Sequence, residues 1–561
     1  MSADVSNKAD QLRQARQLHR AGQGDDAEAL AVQLLHQQPG DAETCTFLGM
    51  LALQQNRPAT AAAYLGAALQ REPALPQAHL LLGLVRLKQN QDDAALQSFQ
   101  RVAELEPANA DAWNNQGVVL LRKKAPRPAL GCFHKVLEVA PRHIDGHVNL
   151  ARAHLELKQW AEAEQTLLKL LAFRPDVVTA HEFLGRACFQ QGRTDQAMIA
   201  LRKAVALGPN RASAWISLGL GLLESAQFDE AQECFHKAMA LAPQDPVAQA
   251  NAGMTDLLAG RWLEGWPRYQ QRLQLPNLDM ERFQVPGPLW DGQALKGRTL
   301  LVHGEQGMGD LIQFCRYVPR IVAERGGPVV LVCHPPLKTL LRTVPGVWEV
   351  VAKGDQTPPY HYRTWIMNLP GVFQTTPATI PADIPYLSAD PQRVVHWGQR
   401  LTDGPRRFRV GLAWAGNPKF GGDHKRSMSL ATLAPLARVP NVAFYSLQKG
   451  GRPNDAFPPE LALQDFTAEL TDFADTAALV MNLDLVISVD TAVAHLAGAL
   501  GRPVWTLLPR IPDWRWLLDR EDTPWYPTMR LFRQTTPGAW GPVLERVVQE
   551  LQAKSAALPP E

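Results

Sequence analysis

The 561-residue chain has six cysteines, Cys45, Cys132, Cys188, Cys234, Cys315 and Cys333, and no two of them stand at Cys-x-x-Cys spacing. That scatter excludes a zinc knuckle and a disulfide framework and fits a reducing compartment. Long apolar runs are missing as well, so no bilayer-spanning helix is expected, and the opening stretch MSADVSNKADQLRQARQLHRAG lacks the apolar centre of a signal peptide. Neither sign of charge is in excess: 57 Lys and Arg face 55 Asp and Glu. A global field aimed at nucleic acid or an anionic membrane is thereby excluded, and partners must be recognised locally. The expectation is a soluble, cytoplasmic protein. Its length exceeds what one core supports and calls for roughly three or four domains.

The first half is periodic. Pro39, Pro73, Pro107, Pro141, Pro175, Pro209 and Pro243 follow one another every 34 residues, and ten residues after them stand Gly49, Gly83, Gly117, Gly185, Gly219 and Gly253, with Ala151 in the one gap. Ala61, Ala95, Ala129, Ala163, Ala197 and Ala231 keep the same register, followed four residues later by Leu65, Phe99, Phe133, Leu167, Leu201 and Phe235. One helix face is buried in each unit. The pattern predicts an α-solenoid over residues 8–273, a superhelix whose groove accepts extended peptides or helices. Trp262, Trp266 and Tyr269 sit where a last helix must cover the apolar end. Residues 274–297, rich in Pro and Gly, read as a linker.

From Arg298 the texture turns to β-rich runs alternating with helices: TLLVHG, PVVLVCHP and VWEVVA, then RFRVGLAWAG, VAFYSLQKG, DLVISVD and PVWTLLP. This predicts two Rossmann-like α/β halves, 298–390 and 405–535, joined by a segment over 391–404 and followed by a terminal helix and tail over 536–561. Open parallel sheets bind ligands beyond the carboxyl ends of their strands, so each strand-to-loop junction is a candidate site.

The first junction is LVHGEQGMGDLIQFCRY, with Gly304, Gly307 and Gly309 in its loop. The dinucleotide fingerprint needs the opposite glycine order, and the P-loop needs Lys and Ser or Thr where Asp310 and Leu311 stand. A carboxylate at the start of a helix facing a cleft is a candidate general base for an acceptor hydroxyl, so Asp310 is the candidate, with His303 and Glu305 as alternatives. Gln306 and Gly309 share that loop as candidate acceptor or sugar contacts. The plain alternative is that Asp310 caps its helix.

At the junction DTAVAH, Thr491, Ala492, Val493 and Ala494 can offer backbone N–H groups to a diphosphate at a positive helix end, with His495 in the first turn and Asp490 orienting the loop. A capping histidine is the competing reading. The loop GLAWAGNPKFGGDHKRSMSL carries Asn417 and the cations Lys425 and Arg426, the latter two suited to charge developing on a leaving nucleotide, or simply a solvated basic loop. Gln448, at a strand end, can meet a base or merely satisfy the strand's polarity. PDWRWLLDREDTPWYP gathers Trp514, Trp516, Trp525 and Tyr526 around Arg515 and Arg520. Trp514 and Arg515 are candidate sugar contacts, with packing the better reading for the tryptophans.

The repeat half resembles the tetratricopeptide repeat (TPR), and GEQGMGDLIQFCRY, GLAWAGNP, SLQKG, DLVISVDTAVAHLAGALGRPVW and DWRWLLDREDTPWYPTMRLFRQ together resemble bacterial TPR glycosyltransferases related to the heptosyltransferases. The resemblance implies a GT-B fold, with the acceptor on the first α/β half and a nucleotide sugar on the second. It maps the family's Gly-Asp base onto Asp310 and its diphosphate loop onto Asp490, Thr491 and His495. Ala492 replaces the usual glycine, and the histidine that often follows Gly-Asp is missing. By likeness to the TPR arrays of protein O-GlcNAc transferases, Asn115, Asn149 and Asn251 would line the peptide groove; otherwise they satisfy buried backbone.

No Asp-x-Asp occurs in the chain, so no metal and no cofactor beyond the nucleotide-sugar substrate are expected. The implied activity is inverting transfer to Ser or Thr of a docked protein, flagellin and a nonulosonic acid being the pair used by some relatives. The alternatives are a lipopolysaccharide or other glycan acceptor, and a non-catalytic scaffold that binds nucleotide sugar.

Overall fold

The computed structural model describes residues 2–275, 285–305, 307–401, 407–418, 421–450 and 458–557. Parts of the expected linker (276–284), connecting segment (402–404) and tail (558–561), together with Gln306, lie outside the described residues. The chain divides into two compact units, Met1–Gly221 and Leu222–Glu561, with the boundary inside the helix Ala212–Glu224. Among the described residues no helix is long and apolar enough to cross a membrane.

The first unit is a run of helices that begins with Ser2–Arg20 and Gly24–Gln37. Its 34-residue period has a steric cause. A Cβ on Gly83 would lie 2.4 Å from the Phe99 ring, and one on Gly117 would lie 2.4 Å from the Phe133 ring, so paired helices touch at bare backbone. Where Ala151 breaks the glycine register, the residue in phase with those phenylalanines is the smaller Leu167, and both are fully buried.

A second device recurs in the same register. Asn56, Asn90, Lys124, Lys158 and Ala226 follow helices in the left-handed region at φ between 56 and 60, in phase with left-handed Gly22, Gly192 and Gly260. A third closes the turn between units. The side chain six residues after each repeat proline from Pro73 to Pro243 bonds that proline's carbonyl, as His79 does to Pro73 and Trp113 to Pro107, both at 2.9 Å.

The second unit begins with the last repeat helices, among them Pro246–Leu258 and Trp262–Tyr269, and continues into two parallel sheets. The first holds β1 (Leu300–His303), β2 (Val329–Cys333), β3 (Val347–Ala352) and β4 (Tyr362–Trp365) in the order β3-β2-β1-β4. The second holds β5 (Phe408–Ala413), β6 (Val442–Ser446), β7 (Leu485–Val489), β8 (Val504–Leu508) and β9 (Met529–Arg533) in the order β6-β5-β7-β8-β9. All pairings are parallel, as alternating strands and helices require. Sequence order reverses at β1 and at β5, which puts a crevice at those strand ends. The strands β4 and β9 are additions to the elements expected from sequence.

The helix Gly541–Ala556 lays Val543, Leu544, Val547 and Leu551 into the core of the second sheet. Within the connecting segment, Pro391–Arg400 is itself a helix, capped by Asp390, whose carboxylate accepts from Gln392 and Arg393 N–H. The aromatics Trp262 and Trp266 are packing residues, as expected, but their partners lie far along the chain. Trp262 stacks on Trp525 at 5.3 Å, Trp266 meets Trp514 edge-on at 5.2 Å, and the Trp266 indole donates to the Thr375 carbonyl at 2.7 Å.

Candidate active site

The β1 loop is folded tightly around the candidate base. Gly304 packs on Leu311, where a Cβ would stand 2.5 Å from that side chain, and a Cβ on Gly307 would stand 2.6 Å from the Asp310 carboxylate. The following helix, Met308–Phe314, has Gly307 at its N-cap and no side-chain capping bond, so Asp310 is a first-turn residue and not the cap. Its carboxylate instead receives the Arg515 guanidinium at 2.8 Å, an ion pair that joins the two α/β halves.

The opposite wall starts at the end of β7. Asp490 is buried, and Thr491 is the extended N-cap of the helix Ala492–Ala499, its hydroxyl 3.0 Å from that of Ser488. The first bonds back to the Thr491 carbonyl come from Ala494 and His495. Ala492 and Val493 N–H groups therefore have no acceptor within the helix and sit at its positive end.

The two walls meet at Gly309. A Cβ there would lie 2.8 Å from His495 Cδ2 and 3.6 Å from Ala492 Cα, so the absent side chain is what lets the two helix starts touch. The helix that carries Asp310 and the helix that opens at Ala492 thus start side by side.

His495 is held from behind. It stacks on Trp516 at 5.3 Å, its Nδ1 is 3.0 Å from the Tyr526 hydroxyl, and its Nε2 is 3.8 Å from Asp490. The Tyr386 hydroxyl donates to the Ile312 carbonyl at 3.0 Å. The Tyr526 proton is then free to go to His495 Nδ1, which leaves Nε2–H facing Asp490. Burial, with Arg515 next in effect, holds the His495 ring well below the usual imidazole range, so it is neutral.

Burial raises the Asp310 carboxyl above the ordinary aspartate value; Arg515 opposes that rise, and Glu305 and Asp513 add to it. Asp490 is also raised, by burial first and Asp513 second. Burial pushes His303 down to about 4, and this ring packs edge-on to Trp365 at 5.0 Å and bonds the Gly304 carbonyl.

The remaining candidates separate. Lys425 is exposed and bonds both carboxylate oxygens of Glu224 at 2.5 Å. Arg426 lies 3.4 Å from Asp423 and acts on Asp490 through its charge. Gln448 is occupied with structure: its Oε1 accepts from Trp414 and Ala415 N–H at 3.2 and 2.9 Å and fixes the loop that carries exposed Asn417. Trp514 is 2 % exposed inside the aromatic cluster, which leaves it no face for a sugar. Among the groove asparagines, Asn149 donates to Asn114 at 3.0 Å, Asn251 donates to the Val247 carbonyl at 2.8 Å, and Asn115 is half-buried.

Sequence reasoning missed Arg272. Its guanidinium bonds Glu305 at 2.6 and 3.2 Å and the Asn368 carbonyl oxygen at 2.9 Å. Among the described residues no group of three or more His, Cys, Asp or Glu could hold a metal ion.

The repeat array is thus followed by an α/β domain of two parallel sheets. The tetratricopeptide repeat model matches residues 48–107, 80–130, 126–176 and 148–212, and that of glycosyltransferase family 9 (heptosyltransferase) matches residues 467–510, the stretch holding β7 and the helix Ala492–Ala499.

The chain is 35% identical to Protein FlbA of Caulobacter vibrioides over 338 residues, which is 54% of this chain and 55% of FlbA. It thus spans about half the length of the curated relative it matches. Among solved structures it is similar to a tetratricopeptide repeat protein from Parabacteroides merdae, with a TM-score of 0.39, 17% identity, and 45% of this chain and 99% of that one covered. A thermophilic TPR protein of Thermus thermophilus has a TM-score of 0.31 at 23% identity, with 33% of this chain and 100% of that one covered.

Proposed function

We propose that the chain is an inverting glycosyltransferase that uses a nucleotide sugar and modifies Ser or Thr hydroxyls of a polypeptide held by the repeats. The observation that supports the reading is the contact of Gly309, beside Asp310, with Ala492 and His495 at the start of the facing helix. The family 9 match over 467–510 supports the nucleotide-sugar side, and the repeats support a docked protein.

In this mechanism Asp310 takes the proton of the acceptor hydroxyl, and the oxygen forms a bond to the anomeric carbon from the face opposite the leaving group. The bond from that carbon to the phosphate oxygen of the nucleotide breaks, and its electron pair leaves with the nucleotide. Ala492 and Val493 N–H, His495 Nε2–H and Arg426 stabilise the charge that develops there. Single displacement inverts the anomeric centre. No metal is assigned a step. Flagellin and a nonulosonic acid are the acceptor and sugar that the resemblance favours.

The same family match favours a second reading, a glycan acceptor with the repeats recruiting a partner. A thermal-shift screen of nucleotide sugars on the full chain tests the donor: a ligand at a hundred times its Kd raises stability by about 2.7 kcal/mol. No shift with any nucleotide sugar contradicts the proposal. Removing residues 1–209, which leaves the helix Ala212–Glu224 whole, separates the acceptors. With the fold verified by circular dichroism, modification of a protein is lost while that of a glycan is kept.

A further inference from the structure

Arg272 stands just past the last repeat helix, in the 3-10 turn Gln270–Gln274, yet its side chain is buried in the α/β domain. It bonds both oxygens of Glu305 and the amide oxygen of Asn368, with its guanidinium 4.7 Å over the Tyr269 ring. Glu305 is 4 % exposed, and its own backbone carbonyl receives Lys353 Nζ at 2.6 Å. Glu305 is thus held in place on the β1 loop, and two residues later the bare backbone of Gly307 makes room for the Asp310 carboxylate, which a Cβ there would meet at 2.6 Å. An ion pair this deeply buried is weak evidence for added stability, because desolvation offsets attraction, so its placement needs another reason.

We propose that Arg272 is a positioning residue that, through Glu305, sets both the location and the charge environment of Asp310. This rests on the reading of Asp310 as the base. The charged groups that bear on Asp310 are Arg515 and Asp513 from the turn before and within Trp514–Trp516 and Glu305 from its own loop with Arg272 behind it, while neutral His495 lies across Gly309 on the opposite wall. Arg515 neutralises one side. On the other side the net effect of Glu305 depends on whether Arg272 is present. With Arg272 removed, Glu305 is an uncompensated anion beside Asp310, which then holds its proton more tightly.

The test is a carbon-13 titration of the Asp310 carboxyl in the full chain, assigned by its loss in Asp310→Asn. Arg272→Met is expected to move the midpoint to higher pH by about one unit, a tenfold tighter proton. The double variant Arg272→Met/Glu305→Gln returns it close to the original value. Glu305→Gln alone, which removes charge without shortening a side chain, lowers the midpoint and serves if Arg272→Met fails to fold. An unmoved midpoint in Glu305→Gln, or in a folded Arg272→Met, overturns the positioning role whatever the activity. A moved midpoint together with full transfer by Asp310→Asn leaves the positioning role standing and sinks the base assignment.

Discussion

At the scale of single residues, the central feature is a carboxylate whose proton affinity is set by competing neighbours. Burial raises Asp310 and Arg515 lowers it. A base works only when ionised, so the acid limb of kcat/KM is expected above the ordinary aspartate value of about 3.9, with activity lost as pH falls through it. Arg515→Met removes the opposing charge and moves that limb further alkaline; a limb unchanged or displaced to lower pH contradicts the ion pair's role. Stability carries the same sign. Asp310 binds its proton more tightly folded than unfolded, so its contribution is complete below about 3.9 and is lost as pH rises through the raised folded value.

His495 behaves in the opposite sense, its ring held neutral by burial. Its imidazole signals should show no titration step between about pH 8 and 6, where an ordinary histidine near 6.5 begins to charge. A step in that range would remove it as a neutral Nε2–H donor. Asp310 and His495 were both legible in the sequence because each follows a strand and opens a helix. Arg272 was not. It sits where the repeat register has run out, and its partner Glu305 is 33 residues away.

At the scale of elements, the repeats were legible almost in full, because a 34-residue period shows itself without any knowledge of contacts. Their recurring left-handed residues were not, since Asn, Lys, Ala and Gly all occupy that position. The strands β4 and β9 escaped notice for a related reason: YRTW and MRLFR are short and mix charge with apolar residues, and pairing with β1 and β8 makes them strands.

Two glycines of neighbouring helices test the packing account. Gly117→Ala, whose Cβ would meet the Phe133 ring at 2.4 Å, is expected to cost about 1–3 kcal/mol. Gly131→Ala, with nothing within 4 Å, is expected to gain up to about 1 kcal/mol from helix propensity. Urea unfolding of the two variants measures both, and equal effects would refute the steric origin of the period.

At the scale of the whole molecule, the chain joins an array of tetratricopeptide repeats to a domain of two parallel sheets. The second unit shows how the last repeat helices become part of that domain: Trp262 and Trp266 pack with Trp514 and Trp525, and Arg272 reaches Glu305. The sequence placed those tryptophans in packing but could not pair residues some 250 positions apart. It also offered Lys425 to the nucleotide, whereas folding brings Glu224 to it from 201 residues away.

The measurement that bears most directly on the central claim compares wild type with Asp310→Asn, using the nucleotide sugar that stabilises the full chain and mass spectrometry of the acceptor. The account predicts an unchanged thermal shift with the donor and transfer reduced by about 100- to 10,000-fold. Undiminished transfer by Asp310→Asn, with the donor still bound, would contradict it.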